Sequence, residues 1–373
     1  MELAIEKVFH RDQLRGDAAR YGWMLTTCLA LLGIIALAAP AFGQVITEFP
    51  IPTLASIPHG ITSGPDGNLW FVEGQGQKVS RITTAGTITE FKVLTGDVGA
   101  YPFGIAAGSD GNLWFTEFAN IGRITTAGVI TYFPLPDPYS DPHGIASGPD
   151  GNLWFTESAP AVNKIGRIST SGSITEFPIP TANSQAQGIA AGPDGNLWFA
   201  EFTANQIGRV TTAGVFTEFP ATASPVAITA GPDGNMWFTY SLANKLGRIT
   251  PAGNVADFPI PTPDSIPDAI VTGPDGNLWF CEGNGNRIGR ATPAGLITEF
   301  PIPTAVSQPG GIAVGPDRSI WFTEGSGNNV GRMTVPSAVT PVSTLSFPAL
   351  CLLGLALSII ALTLLGRTAA RPF

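Results

Sequence analysis

The chain has 373 residues, of which 13% are charged and 44% hydrophobic, with 45 Gly and 33 Pro. That balance suits a turn-dense all-β protein and excludes a disordered one. Residues 44–366 hold 13 Lys or Arg against 24 Asp or Glu, a net of about −11, which argues against nucleic acid as a partner because phosphates need basic side chains, and is compatible with cationic ligands or divalent metals.

Residues 1–43 read as an export segment. An apolar run over 22–39 follows Arg11, Arg15 and Arg20 and ends in Ala41-Phe42-Gly43, a small-x-small cleavage site before Gln44. The charged stretch in front of it is long, so an uncleaved signal anchor is the alternative.

Residues 44–335 are organised by seven Trp-Phe dipeptides, at Trp70, Trp114, Trp154, Trp198, Trp237, Trp279 and Trp321, spaced 39 to 44 residues apart. One tryptophan per unit at that period marks a repeat architecture. A single unit runs through His59-Gly-Ile-Thr-Ser, the turn Gly64-Pro-Asp-Gly-Asn68, Leu69-Trp-Phe-Val-Glu73, a loop, Val79 to Thr83, and Thr87 to Phe91. Short apolar runs rich in Ile, Thr, Trp and Phe, bounded by Gly, Pro, Asp and Asn, are strands joined by hairpins. Each unit is therefore a four-stranded antiparallel sheet, and seven of them predict an all-β, seven-bladed β-propeller. The seventh unit stops after three strands, while Val45 to Pro50 at the front repeats the wording of Ile297 to Pro301. An N-terminal strand completing the last blade would close the ring and remove its exposed edges.

A Ser/Thr/Pro linker over 336–346 leads to about 20 apolar residues, 347–366, and a basic tail, 367–373, with Arg367 and Arg371. That length spans a bilayer, and the trailing arginines place the tail inside. Pro341 to Ser346, the apolar stretch and the basic tail together also resemble bacterial sorting signals of the PEP/IPTL type. Either way the propeller is expected to be periplasmic or at the cell surface, tethered to the membrane, and monomeric. The three cysteines, Cys28, Cys281 and Cys351, fit neither a disulfide framework nor a zinc motif.

The hairpin spacing locates candidate chemistry. His59 and Glu73 lie equidistant from Asp66 in the turn, and equidistant residues of an antiparallel hairpin face each other. The first strand of a propeller blade lines the central channel, so such pairs are expected to ring one mouth of it. Around the ring the first-strand positions are His59, Phe103, His143, Gln187, Val226, Asp268 and Gly310, and their partners are Glu73, Glu117, Glu157, Glu201, Tyr240, Glu282 and Glu324. Positions that escape the repeat are the site candidates, because blade packing does not dictate them. The recurring glutamates also have a structural reading as hydrogen-bond acceptors, and the Trp-Phe pairs read as packing between blades. His143, between Asp141 and Glu157, is the candidate base, with the two carboxylates as ligands of a hard divalent ion. His59, Phe103, Gln187, Glu73 and Glu117 are candidate substrate contacts, and Asp268 with Glu282 forms an alternative metal pair. A small molecule, glycan or peptide is the expected occupant of the mouth.

The units Pro-His-Gly-Ile, Gly-Pro-Asp-Gly-Asn-Leu-Trp-Phe-Thr-Glu, Ile-Gly-Arg-Ile-Thr and Ile-Thr-Glu-Phe-Pro-Ile-Pro-Thr resemble the streptogramin B lyases over residues 45–334. The resemblance implies a seven-bladed propeller that opens a cyclic depsipeptide at its ester by Mg²⁺-assisted elimination, a carbon–oxygen lyase activity. It also implies that His143, in Asp141-Pro142-His143-Gly144-Ile145, takes the α-proton while Asp141 and Glu157 hold Mg²⁺, which stabilises the charge developing on the ester carbonyl. The family places its base in the last blade, after a second Pro-His segment in the blade before; here His143 lies in the third blade, and Phe103 precedes it. The alternative function is a non-catalytic, envelope-tethered propeller that binds a carbohydrate, peptide or protein. A six-bladed lactonase fits less well, because the count of units is seven.

Overall fold

The structure is a computed structural model that describes residues 45–93 and 101–335. The export segment, linker, apolar stretch and tail read from the sequence, with Cys28 and Cys351, lie outside the described residues. No helix among the described residues is long and apolar enough to cross a membrane.

Seven four-stranded antiparallel sheets form the seven blades of a propeller. Blade 1 consists of Pro58–Ser63, Leu69–Glu73, Lys78–Ile82 and Ile88–Lys92; blades 2 to 6 repeat that order along the chain. Blade 7 takes Pro309–Val314, Ile320–Glu324 and Asn329–Met333 from the end and Ile46–Pro50 from the front. Ile46 pairs with Met333 and Pro50 with Asn329, so the expected N-terminal closure is present. The first strand of each blade packs against that of the next, and blade 7 against blade 1, which completes the ring.

The tryptophans hold neighbouring blades together. All seven are fully buried, and Trp114 of blade 2 shares a hydrophobic cluster with Leu153, Phe155 and Ile168 of blade 3. Each indole N–H donates to the aspartate of its own turn, as Trp154 does to Asp150 at 3.0 Å. That bond satisfies the single polar atom that burying an indole would otherwise strand. An arginine from the third strand covers the indole, as Arg167 does at 5.6 Å from the ring centroid, and reaches across to the next blade, donating to Thr212 O at 3.1 Å.

The innermost hairpin departs from the simple ladder in a way that matters for the site. In blade 3, Ser147 pairs with Leu153, Ala146 with Trp154 and Ile145 with Phe155, all equidistant from the turn. The register then shifts, and the residue across from Glu157 is Pro142 rather than His143. The same irregularity occurs in blade 1, where Pro58 faces Glu73. The displaced residues are a histidine and a glycine, and the glycine explains the geometry. A Cβ on Gly144 would stand 2.6 Å from Gln187 O of the next blade, so the two backbones approach closer than any side chain permits. A bulge of this kind re-aims the residue beside it.

Candidate functional site

The bulge, present in every blade but the second, separates the two halves of the pairs expected from equidistance. His59, Phe103, His143, Val226, Asp268 and Gly310 converge on a cavity of about 200 Å³ at one mouth of the axial channel. Gln187 is not among the residues lining that cavity; its carbonyl accepts a hydrogen bond from Thr156 Oγ1 at 2.7 Å. Below this irregular ring lies a regular one of isoleucines, one per blade from Ile61 to Ile312, which floors the cavity with apolar surface.

The glutamates do not reach the mouth. Glu73, Glu157, Glu201, Glu282 and Glu324 are fully buried and Glu117 nearly so. Their side chains lie between the second strand and the loops above it. Glu73 Oε1 accepts from Ser80 Oγ at 2.5 Å, and a Cβ on Gly76 would touch Glu73 Oε2 at 2.7 Å. Burial raises these carboxyls: Glu157 to about 7, with Glu176 adding to the shift, and Glu201 to about 8, with Glu218 adding. Glu282 and Glu324 rise to about 8 and about 7 for the same first reason. Both oxygens of Glu157, Glu201 and Glu282 lack a hydrogen-bond partner. Because the orphaned state recurs in three blades, it belongs to the repeat and does not single out Glu157.

Asp141 is exposed and sits at φ 47°, its carbonyl taking Ser158 N at 3.1 Å and Ser158 Oγ at 2.8 Å. The Mg²⁺ set implied by the resemblance thus draws on one exposed carboxylate and one buried across from Pro142. Among the described residues, no three His, Cys, Asp or Glu side chains form a group that could hold a metal. The Asp268 and Glu282 pair divides in the same way, since Asp268 lines the cavity while Glu282 faces Pro267 in the ladder.

What the mouth does assemble is an aromatic arc. The rings of Phe103 and His143 lie 3.6 Å apart between centroids, and those of His59 and Phe103 lie 4.6 Å apart. His59 Nε2 is 2.8 Å from Tyr101 Oη. Burial lowers the His143 imidazole to about 3, with His59 contributing, and burial alone lowers His59 to about 4. Both rings are therefore neutral at physiological pH. Across from the arc, Asp268 is raised to about 6 by burial. Tyr101 was not among the sequence candidates. Its signal was an aromatic residue just before the first strand of blade 2, where the chain is longer than the repeat requires.

A second depression of about 490 Å³ opens from the mouth over blades 6, 7 and 1, and His59, Asp268 and Gly310 line both spaces. Gly310 joins the two. A Cβ there would meet nothing closer than Asp268 Oδ2 at 3.8 Å, so the absence of a side chain leaves an open gap in the rim.

Seven closed four-stranded sheets around a variable, concave axial mouth place the chain in the class of seven-bladed β-propellers. Within that class, the family model described as the virginiamycin B lyase family matches residues 44–224 and 220–346, and the chain belongs to that family. A structure of a streptogramin B lyase is 38% identical, with a TM-score of 0.74, covering 78% of this chain and 97% of that one. Selenomethionine-substituted virginiamycin B lyase from Staphylococcus aureus is 39% identical at a TM-score of 0.74, covering 78% of this chain and 99% of its own. A catalytically inactive histidine-to-alanine variant of the Staphylococcus aureus enzyme with quinupristin is 38% identical at 0.73, with the same coverage.

Proposed function

We propose that this chain is a binding propeller of the virginiamycin B lyase family, and that its axial mouth takes a compact ligand with an aromatic or branched apolar body. One observation carries this reading: side chains from different blades, His59, Phe103 and His143, stack into a single arc above an isoleucine floor. Such a surface offers π-faces and apolar area at little conformational cost, because the rings are already held against each other. The two apolar terminal segments support an envelope location for the binding event.

Elimination is the second reading, favoured by the 38–39% identity to the lyases. In it, the neutral His143 imidazole would take the proton from the α-carbon of the residue whose β-oxygen is esterified, and the bond between that β-carbon and the ester oxygen would break. The ring would open to a free carboxylate and a new double bond. Three features weigh toward binding. An imidazole held to about 3 is a weak proton acceptor. Glu157 is turned away under Pro142. The last blade, where the resemblance puts the base, presents Gly310 at that position.

Quinupristin distinguishes the two readings. Incubated with the protein with and without Mg²⁺, it is expected to return intact. The opened product would have the same mass, a new retention time and the ultraviolet absorption of the added double bond. Its appearance with the native protein but not with His143→Ala would establish the lyase reading instead.

A further inference from the structure

The charge around the mouth is one-sided. Among all residues lining the axial cavity and the adjoining depression, Asp268 alone carries a charge at neutral pH; no lysine or arginine lines either space. Its carboxylate has no hydrogen bond or ion pair with any described residue, although the Cys281 thiol lies close enough to feel its charge. An unpartnered carboxylate in an apolar funnel is an unfavourable arrangement that a cationic guest would relieve.

The rest of the rim agrees with such a guest. The arc across from Asp268 presents uncharged rings, whose faces attract cations, and the neutral histidines add no repulsion. Gly310 leaves the path between His59 and Asp268 open, and Ile57 and Ile266 supply apolar surface along the depression. A metal ion is a poorer match, because Ca²⁺ and Mg²⁺ require roughly six or more oxygen donors, several of them usually carboxylate or carbonyl, and one carboxylate stands here.

Building on the reading of the mouth as a ligand site, we infer that Asp268 makes it selective for ligands that carry an organic cation, such as a protonated amine, on a compact apolar body. The carboxylate fixes the orientation of the guest, with the cation at blade 6 and the apolar body over Gly310 toward the arc.

Three probes of matched shape test this on the purified full-length chain: phenethylamine, 2-phenylethanol and phenylacetate, titrated by ligand-observed NMR. Phenethylamine is expected to bind about tenfold or more tightly than the alcohol, on the scale of a hydrogen bond to a charged group, and phenylacetate more weakly than either. Asp268→Asn, which preserves shape, is expected to bring the amine down to the level of the alcohol, while Asp268→Glu retains a preference for the amine. Equal binding of amine and alcohol to the native chain, or an amine preference that survives Asp268→Asn, would overturn the inference while leaving the mouth as a ligand site. If none of the three binds, the ligand-site reading fails and the inference falls with it.

Discussion

At the scale of single residues, the repeat's most regular polar position lies inside the blade and its least regular one at the axial cavity. The glutamate that follows six of the seven Trp-Phe pairs is buried in the blade, while the first-strand residue, different in almost every blade, faces the mouth in all but the fourth. The sequence distinguished these two sets by their regularity. It did not reveal that they point to different places, because the equidistance argument assumes an unbroken ladder and the bulge inserts a residue. An isolated glycine in a strand, as at Gly60, Gly144 and Gly188, was the available signal. The buried glutamates also set a pH dependence. A carboxyl raised in the folded state keeps its proton where the unfolded chain has lost it, so stability falls as pH rises toward the folded value. The histidines act oppositely, but only below their ordinary 6.5, and the turn aspartates, lowered from 3.8, act only near and below that value. Between pH 6.5 and about 8 the glutamates therefore dominate. The melting temperature is expected to fall across that window, and Glu201→Gln to flatten part of the decline. A melting curve that rises from pH 6.5 to 8, or an unchanged slope in the variant, would count against this assignment.

At the scale of the strand and the blade, most of the structure was legible. Trp-Phe spacing, Gly-Pro-Asp-Gly-Asn turns and short apolar runs specify hairpins, and four per period specify a blade. The chemistry that makes the turn conspicuous also anchors the tryptophan, since the same aspartate holds the indole N–H. The unit is thus a hairpin, its turn and its inter-blade anchor in one stretch of sequence. Trp237 illustrates the load on one such anchor: it is fully buried, bonded to Asp233 at 3.0 Å, stacked on Phe258 at 5.0 Å and covered by Arg248 at 5.5 Å. Trp237→Ala removes all of these contacts and leaves a cavity between blades 5 and 6. Denaturant unfolding is expected to show a loss of roughly 3–5 kcal/mol; a loss below about 1 kcal/mol would mean the blades do not depend on this packing. The inter-blade packing of the tryptophans was legible too; the hydrogen bonds between blades were not. Nothing in the repeat text announces that Thr156 Oγ1 receives Gly144 N at 2.9 Å and donates to the neighbouring blade.

At the scale of the whole molecule, closure turns a repeated sheet into a site. The terminal strand Ile46–Pro50 completes blade 7, so the first strands form an unbroken ring and residues far apart in sequence meet around one axis. Seven copies of one scaffold leave the first-strand position free to vary, and the ring gathers six of those seven residues into one cavity. The sequence made the ring and its variable positions readable; which of them share a surface required the closed structure, and Tyr101 and the opening at Gly310 emerged only there. His59 of blade 1 and His143 of blade 3 line one cavity, so a ligand held there must touch both. A phenethylamine titration of histidine-labelled protein, followed through the imidazole NMR signals, tests this. The signals of His59 and His143 are predicted to shift together and saturate at one dissociation constant. Signals that respond at different constants, or a titration that moves neither ring, would contradict the account.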